Sequence, residues 1–265
     1  MTSIVHRRFE RRIGRLTLGP LLLFSMPALF GLLACESVED VSAEQYGEQI
    51  FSSLELASSS KRNIYACSSC HRVDASDRKE ILLAGADLAG VVARPSFWGG
   101  SELNLLRSIN ACRAYFMRAE TEWDASDPRA TALYAFLASK TSQDAAAQET
   151  RNAQSFTWVN AVSDVPRGDA TRGLAVYARA CKSCHGEVTS GQGRNSDRTT
   201  ILPSGFFEGH LDAEYTKLER RLTAIEKIRH GRFFGYGGEM PPFALETLSD
   251  SDVSDILEAL TIVAE

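Results

Sequence analysis

The chain has 265 residues, 44% of them hydrophobic and 24% charged, with a net charge of −5. Lys and Arg form no stripe, which argues against any binding that depends on neutralising phosphates, so no nucleic-acid partner is expected. The length suits two small domains once a leader is set aside.

The leader is the first feature in chain order. Arg7, Arg8, Arg11, Arg12 and Arg15 precede an apolar run from Leu16 to Leu33, a basic region followed by a hydrophobic one, as in export signals. Gly19, Pro20, Pro27 and Gly31 interrupt the run and argue against a long retained helix. Leu32-Leu33-Ala34-Cys35 resembles the cleavage box of bacterial lipoproteins. That resemblance implies a signal peptide over 1–34, a lipid on Cys35, and a mature chain anchored on the periplasmic side of a membrane. Glu36 in the next position favours the outer membrane. The leader holds five Arg and one Glu, so the remainder carries about −9. Membrane contact would then come from the lipid, not from a basic face, and charge steering would favour basic redox partners.

Ser42 with Gln45 three residues on marks a capped helix over "SAEQYGEQIF". A Ser-rich insertion leads to Cys67-Ser-Ser-Cys70-His71. The stretch "SELNLLRSINACRAYFMRAE" reads as helical. Asp127 caps the next helix, with Pro128 at its first position and Leu133, Phe136 and Leu137 turned inward. Residues 141–166 are polar, contain Phe156 and Trp158, and read as a linker that packs across both halves. Asp169 caps a helix carrying Leu174, Val176 and Tyr177, which runs into Cys181-Lys-Ser-Cys184-His185. A Gly-, Ser- and Asn-rich loop follows. Leu218, Leu222, Ile225 and Ile228 then predict a helix that stops at Gly231. Ser249 with Asp252 opens the last helix, whose apolar face is Val253, Ile256, Leu257 and Leu260.

Gly47 and Phe51 stand in the first helix as Gly173 and Tyr177 stand in the later one. The chain therefore reads as one domain written twice, over 40–140 and 167–265. The expected fold is all-α, with no strand of useful length and with first and last helices crossing in each half.

The repeated Cys-x-x-Cys-His carries the chemistry. It is the attachment signature of c-type heme. Two thiols three residues apart add across the vinyl groups of one porphyrin, and the adjacent imidazole lies under the iron. A zinc site would need two cysteine pairs that converge, and a thioredoxin-like pair has no need of the histidine. Two covalent hemes c are expected: one on Cys67 and Cys70 with His71 as iron ligand, one on Cys181 and Cys184 with His185. A domain of this size has a modest core, so each porphyrin would supply much of the buried apolar surface. Residues "GQGRNS" at 191–196 lack the Gly-Lys-Ser/Thr ending of a phosphate loop.

The second iron ligand decides the properties of each heme. In the second half Met240, in "GYGGEMPPF", is the candidate; the glycines permit close approach and Pro241 and Pro242 stiffen the backbone. His210, expected at the surface, and His230, expected to cap its helix, are weaker rivals. In the first half Met117 and Cys112 both remain open, and Trp98 with two following glycines would lie against the ring.

On these motifs the mature chain resembles diheme c-type cytochromes, two class-I-type cytochrome c domains in tandem, and the Met240 loop resembles their methionine loop. The stretch from Pro95 to Leu137, where Ile109-Asn110 leads into Cys112 and Asp127-Pro128 caps a helix, resembles thiosulfate dehydrogenases and the diheme subunit of the Sox sulfur-oxidising complex. That resemblance implies Cys112 as a thiolate ligand of a catalytic heme, with Arg107, Arg113 and Arg118 gathering a small sulfur anion. Two functions are thus expected in competition: an electron carrier between periplasmic or membrane redox proteins, or a sulfur-oxidising enzyme centred on Cys112.

Overall fold

The computed structural model describes residues 41–73, 80–141, 156–233 and 238–263. The expected signal peptide, Cys35 and most of the linker lie outside them. All the described residues belong to one compact unit, Asp40–Glu265. They are helical, and the only β-pairing among them is an isolated bridge between Phe97 and Glu102.

Six helices carry the architecture: α1 Ala43–Ser52, α2 Leu105–Tyr115, α3 Pro128–Ser139, α4 Ala170–Ala180, α5 Lys217–His230 and α6 Asp250–Ala259. Their starts follow from local chemistry. Ser42 and Gln45 close a reciprocal capping box on α1, and Ser249 and Asp252 do the same on α6. Asp127 caps α3 ahead of Pro128, and Asp169 caps α4. Thr216 and Glu219 form a further box on α5. Gly231 ends α5 at φ +56, a backbone region closed to most side chains.

The same crossing occurs twice. α1 packs on α3 and α4 packs on α6, and in each pair a glycine sits at the point of contact. A Cβ on Gly47 would lie 2.1 Å from the Ala132 carbonyl oxygen, and one on Gly173 would lie 1.9 Å from that of Asp255. Only a residue without a side chain lets the backbones approach so closely. Around the first crossing Ile50, Phe51, Val91, Leu133, Phe136 and Leu137 form one core. Around the second, Val176, Tyr177, Ile225, Val253, Ile256 and Leu257 form another.

Asp255 locks the second crossing. Its buried carboxylate accepts from the Asp169 backbone N–H at 2.6 Å and from two guanidinium nitrogens of Arg172 at 2.8 and 2.9 Å. These bonds hold its pKa below the ordinary 3.8, with the Arg172 hydrogen bond the largest cause.

Several expected placements differ. Leu174 and Leu218 are 51% and 45% exposed, because the faces of α4 and α5 that meet the core begin elsewhere, at Val176 and at Leu222 with Ile225. Of the linker, Thr157 bonds Glu246, Val159 bonds His230, and Asp164, Val165 and Pro166 bond Arg221. Val162 and Val165 share one apolar cluster with Leu82 and Ala84 of the first half as well. Arg113, expected to gather an anion, is buried: its Nε donates to Ala57 O at 2.9 Å, Nη1 donates to Asn110 Oδ1 at 2.8 Å, and its guanidinium lies over the Trp123 ring. Burial, then Arg129, pushes its pKa down to about 10.

Two outcomes test this packing. Gly173→Ala is expected to lose about 2–3 kcal/mol of stability through forced separation of α4 and α6, read as a lowered denaturant midpoint. Asp255→Asn is expected to flatten the acid limb of stability. The depressed carboxylate contributes fully above the ordinary Asp range and its contribution fades as pH falls through the folded value. Unfolding followed from pH 6 to about pH 2 shows whether that limb belongs to Asp255.

Candidate heme-attachment sites

The two Cys-x-x-Cys-His stretches share two backbone hydrogen bonds, the first in a 3-10 turn and the second in an α-turn. In the first, Cys70 N donates to Cys67 O at 3.2 Å and His71 N to Cys67 O at 2.9 Å. In the second, Cys184 N donates to Cys181 O at 3.1 Å and His185 N to the same oxygen at 2.9 Å. α4 runs directly into the second turn, Lys182–His185. The first turn, Cys67–Ser69, stands alone and is fastened by the Ser69 hydroxyl, which accepts from Ala66 N at 3.0 Å.

The imidazoles are held alike. His71 Nδ1 donates to Ala86 O at 2.8 Å, and His185 Nδ1 donates to Thr200 O at 2.8 Å, each fifteen residues downstream. A carbonyl only accepts, so Nδ1 carries the proton and Nε2 keeps its lone pair. Burial lowers the pKa of both rings, which favours the neutral form. A buried neutral imidazole oriented through its Nδ1–H is what a metal requires of a histidine ligand. Gly85 lies against the first ring: a Cβ there would meet His71 Cε1 at 2.3 Å.

The thiols discriminate among chemistries. Burial pushes Cys67 up to about 11 and Cys181 up to about 12. None of the five described cysteines is in a disulfide. Redox-active or zinc-binding cysteines need stabilised thiolates, and these surroundings oppose a thiolate. A thioether carries no charge, so an apolar site costs it little. The donor set therefore fits covalent heme: two cysteine sulfurs in each motif, the leading one disfavoured as a thiolate, and one imidazole whose Nε2 keeps its lone pair.

The candidate distal ligands occupy different surroundings. Met240 is half-buried against the second core. Gly231 permits its approach, since a Cβ there would lie 2.3 Å from Met240 O. Arg229, fully buried, fastens the following loop by donating to Phe243 O at 3.2 Å and Leu248 O at 2.6 Å. His230 is taken up otherwise: Nε2 donates to Val159 O at 2.5 Å and Nδ1 faces the Glu226 carboxylate. His210 is not the surface residue expected. It is half-buried, donates from Nδ1 to Phe206 O at 2.8 Å, and packs on the Phe206 and Tyr215 rings. In the first half Cys112 lies near Cys67, and burial followed by that neighbour pushes it up to about 12. Met117 is buried in a cluster with Tyr65, Phe116, Cys67, Cys184, Trp98 and Phe233.

That cluster brings the two motifs together. Tyr65 hydrogen-bonds Cys184 through its hydroxyl and lies near Cys70, and burial followed by these sulfurs raises its pKa. Phe233 reaches from the second half into the first, meeting Trp98, Tyr115 and Phe116 edge-on at 5.6–5.9 Å between ring centroids. Backbone continues the seam, with Leu82 N donating to Arg179 O at 3.0 Å. Tyr65 and Phe233 are the residues that sequence reasoning missed. Neither belongs to a motif or a periodic face.

Comparison with known proteins assigns one part of this. Residues 168–258 match the profile of the family described as cytochrome c oxidase, cbb3-type, subunit III. These residues form a cytochrome c domain. A cytochrome c domain implies covalent heme c, electron transfer and redox-protein partners. No curated protein matches the chain. Among solved structures, thiosulfate dehydrogenase (TsdBA) from Marichromatium purpuratum, in its "as isolated" form, aligns at a TM-score of 0.40 with 14% identity. The alignment covers 82% of this chain and 45% of that one, so the chain spans less than half of that protein's length. At such a score the likeness establishes no shared fold.

The ring-holding geometry predicts that Gly85→Ala displaces His71 and costs about 1–3 kcal/mol by overpacking. Chemical denaturation measures the loss, and faster solvent exchange of the His71 Nδ1–H than of the His185 Nδ1–H would place it.

Proposed function

We propose that this chain is a diheme c-type cytochrome that passes electrons between redox proteins, with one heme c in each of two tandem domains, 40–140 and 167–265. The observation that carries the reading is the duplicated histidine geometry: the same backbone bonds within the motif, the same Nδ1–H to carbonyl bond, the same fifteen-residue offset. A family match reaches only the second copy; the first repeats its two bonds to the leading cysteine carbonyl and its histidine bond.

In this reading Cys67, Cys70 and His71 hold the first heme, and Cys181, Cys184 and His185 the second. When bound, each heme supplies a one-electron Fe(III)/Fe(II) couple. The chain's own residues do the remainder. Ala86 and Thr200 orient the imidazoles. The apolar cluster of Tyr65, Met117, Trp98 and Phe233 excludes water between the two motifs. Tyr65, which touches sulfur of the second motif and neighbours sulfur of the first, brings the attachment edges close, and closeness favours fast exchange of an electron. Met240 is the distal ligand of the second site, stiffened by Pro241 and Pro242. For the first site, either Met117 or Cys112 serves. Export through residues 1–34 and lipid on Cys35 would place the protein at the periplasmic side of a membrane, the outer one favoured.

The second reading, a sulfur-oxidising enzyme of the thiosulfate dehydrogenase kind, has Cys112 as its motivating residue. Its nearness to Cys67 favours that reading; the burial of Arg113 weighs against it, because one of three expected anion-gathering residues is structural.

The purified holoprotein is expected to carry two porphyrins by mass and by pyridine hemochrome. Cys67→Ala with Cys70→Ala, or Cys181→Ala with Cys184→Ala, should each remove half of the heme absorbance; a single heme in the parent protein would end the tandem reading. Cys112→Ala and Met117→Ala separate the two first-site ligands. If the carrier reading holds with Met117 as ligand, only Met117→Ala changes the first heme to a high-spin spectrum. A change confined to Cys112→Ala would move the assignment to the enzyme.

A further inference from the structure

The chain as a whole is acidic, yet one place on it is the reverse. Arg118 and Arg198 both approach a single carboxylate, Glu239, which is only 9% exposed; Arg118 makes the closer pair, and Arg198 lies at 3.5 Å. Arg198 also donates to the Arg62 carbonyl, and Arg232 donates to Gly238 O at 3.3 Å. Burial, then Arg198, Arg232 and Arg62, depresses the Arg118 pKa, so the four guanidinium groups share one neighbourhood. Beside them opens a cavity of about 400 Å³ lined by Ser59, Ser60, Lys61, Arg62, Arg118 and Glu120. Lys61, Arg62, Arg118, Arg198 and Arg232 face two carboxylates, Glu239 and Glu120, which leaves a local charge of about +3 on a chain of net −5.

The position matters as much as the sign. Arg118 follows Met117 and Glu239 precedes Met240. The ion pair therefore ties together the two loops that carry candidate distal ligands, and the excess positive charge stands immediately outside them.

We propose that Lys61, Arg62 and the outward faces of Arg118 and Arg198 form a docking face for an acidic surface of a redox-protein partner. This rests on the electron-transfer reading above and names the partner's charge, opposite to the one that net charge alone suggests. Glu239 takes a donor from each of Arg118 and Arg198, whose side chains stay 36% and 46% exposed, and Lys61, Arg62 and Arg118 line the cavity beside them. A small anion inside the cavity would meet the Glu120 carboxylate on its wall. A protein surface resting on the rim meets the cations first. Screening limits distant charges to about 8–10 Å at physiological salt, so at contact the local excess outweighs the remainder of the chain.

The test uses the holoprotein and a dye-labelled polyglutamate peptide, with binding read by fluorescence anisotropy at about 0.1 M ionic strength. Lys61 and Arg62 are exposed, so Lys61→Glu with Arg62→Glu reverses the face without disturbing the core. Lys217→Glu, on the exposed start of α5, is the control. The parent protein and the control are expected to bind, and the double variant to bind about tenfold more weakly. Oxidation of the dithionite-reduced protein by hexacyanoferrate(III) should slow with added salt in the parent and speed up with it in the double variant. Equal peptide binding by the parent and the double variant overturns the proposal, as does a parent that prefers polylysine. Displacement of the peptide by sulfate beyond the effect of chloride at equal ionic strength also overturns it, since that marks a small-anion site. Heme content is measured on each preparation. Its absence would remove the electron-transfer reading while leaving peptide binding to be judged on its own.

Discussion

Everything functional here depends on one hydrogen bond made twice: an imidazole Nδ1–H given to a backbone carbonyl. It fixes the tautomer, and with it which nitrogen presents a lone pair. The ring cannot be charged while Nε2 serves as a ligand, and burial favours the neutral form of both rings. The cost of the arrangement falls on the surroundings. A loop must leave the motif and return fifteen residues later, and it must return tightly. In the first half the return is close enough that Gly85 has no room for a side chain beside His71. The loops differ in composition and keep the same offset, so the constraint is the bond and not the residues that frame it.

What was legible in the sequence is what has a local cause. Ser42 with Gln45, Asp127 with Pro128, Asp169, and Ser249 with Asp252 each satisfy orphaned amides within one turn, and each begins a helix where expected. The pairing of Gly47 with Gly173 was legible because a residue repeated at one register marks one packing event, and both glycines lie at helix crossings. Apolar spacing located the cores to within a position or two. It failed at Leu174 and Leu218, the first residue of each expected face, while Val176, Tyr177, Leu222, Ile225 and Ile228 all meet the core. Periodicity states that a face exists; the neighbouring helix decides where it begins.

The seam between the halves was not legible, for a physical reason. Tyr65, Phe233, Arg118 and Glu239 act across separations of more than a hundred residues, and a single contact of that span leaves no period. Arg113 illustrates the converse error. As a sequence symbol it is a charge available to a ligand; in the fold its guanidinium is spent on Ala57 O, Asn110 and the Trp123 face. Arg221 and Arg229 are used likewise, each donating to several carbonyls from a buried position. Burying a guanidinium is tolerable only when its donors are so consumed. Counting basic residues therefore overstates the charge a ligand or partner can meet.

The distinction between spent and available arginines also explains how an acidic chain presents a basic place. Arg113, Arg221 and Arg229 fasten loops around the two cores and offer nothing outward. Among the described residues Arg62, Arg118 and Arg198 have one buried carboxylate between them, Glu239, and one carboxylate cannot neutralise three guanidinium groups. The excess has to be met by solvent or by something that arrives. Glu239 in turn cannot relax toward Met240 without loosening Arg118 beside Met117. The segments beside Met117 and beside Met240 are thus joined by one ion pair, between Arg118 and Glu239. Together with Phe233 against Trp98, Tyr115 and Phe116, the ion pair joins the two halves by charge and by apolar contact at once.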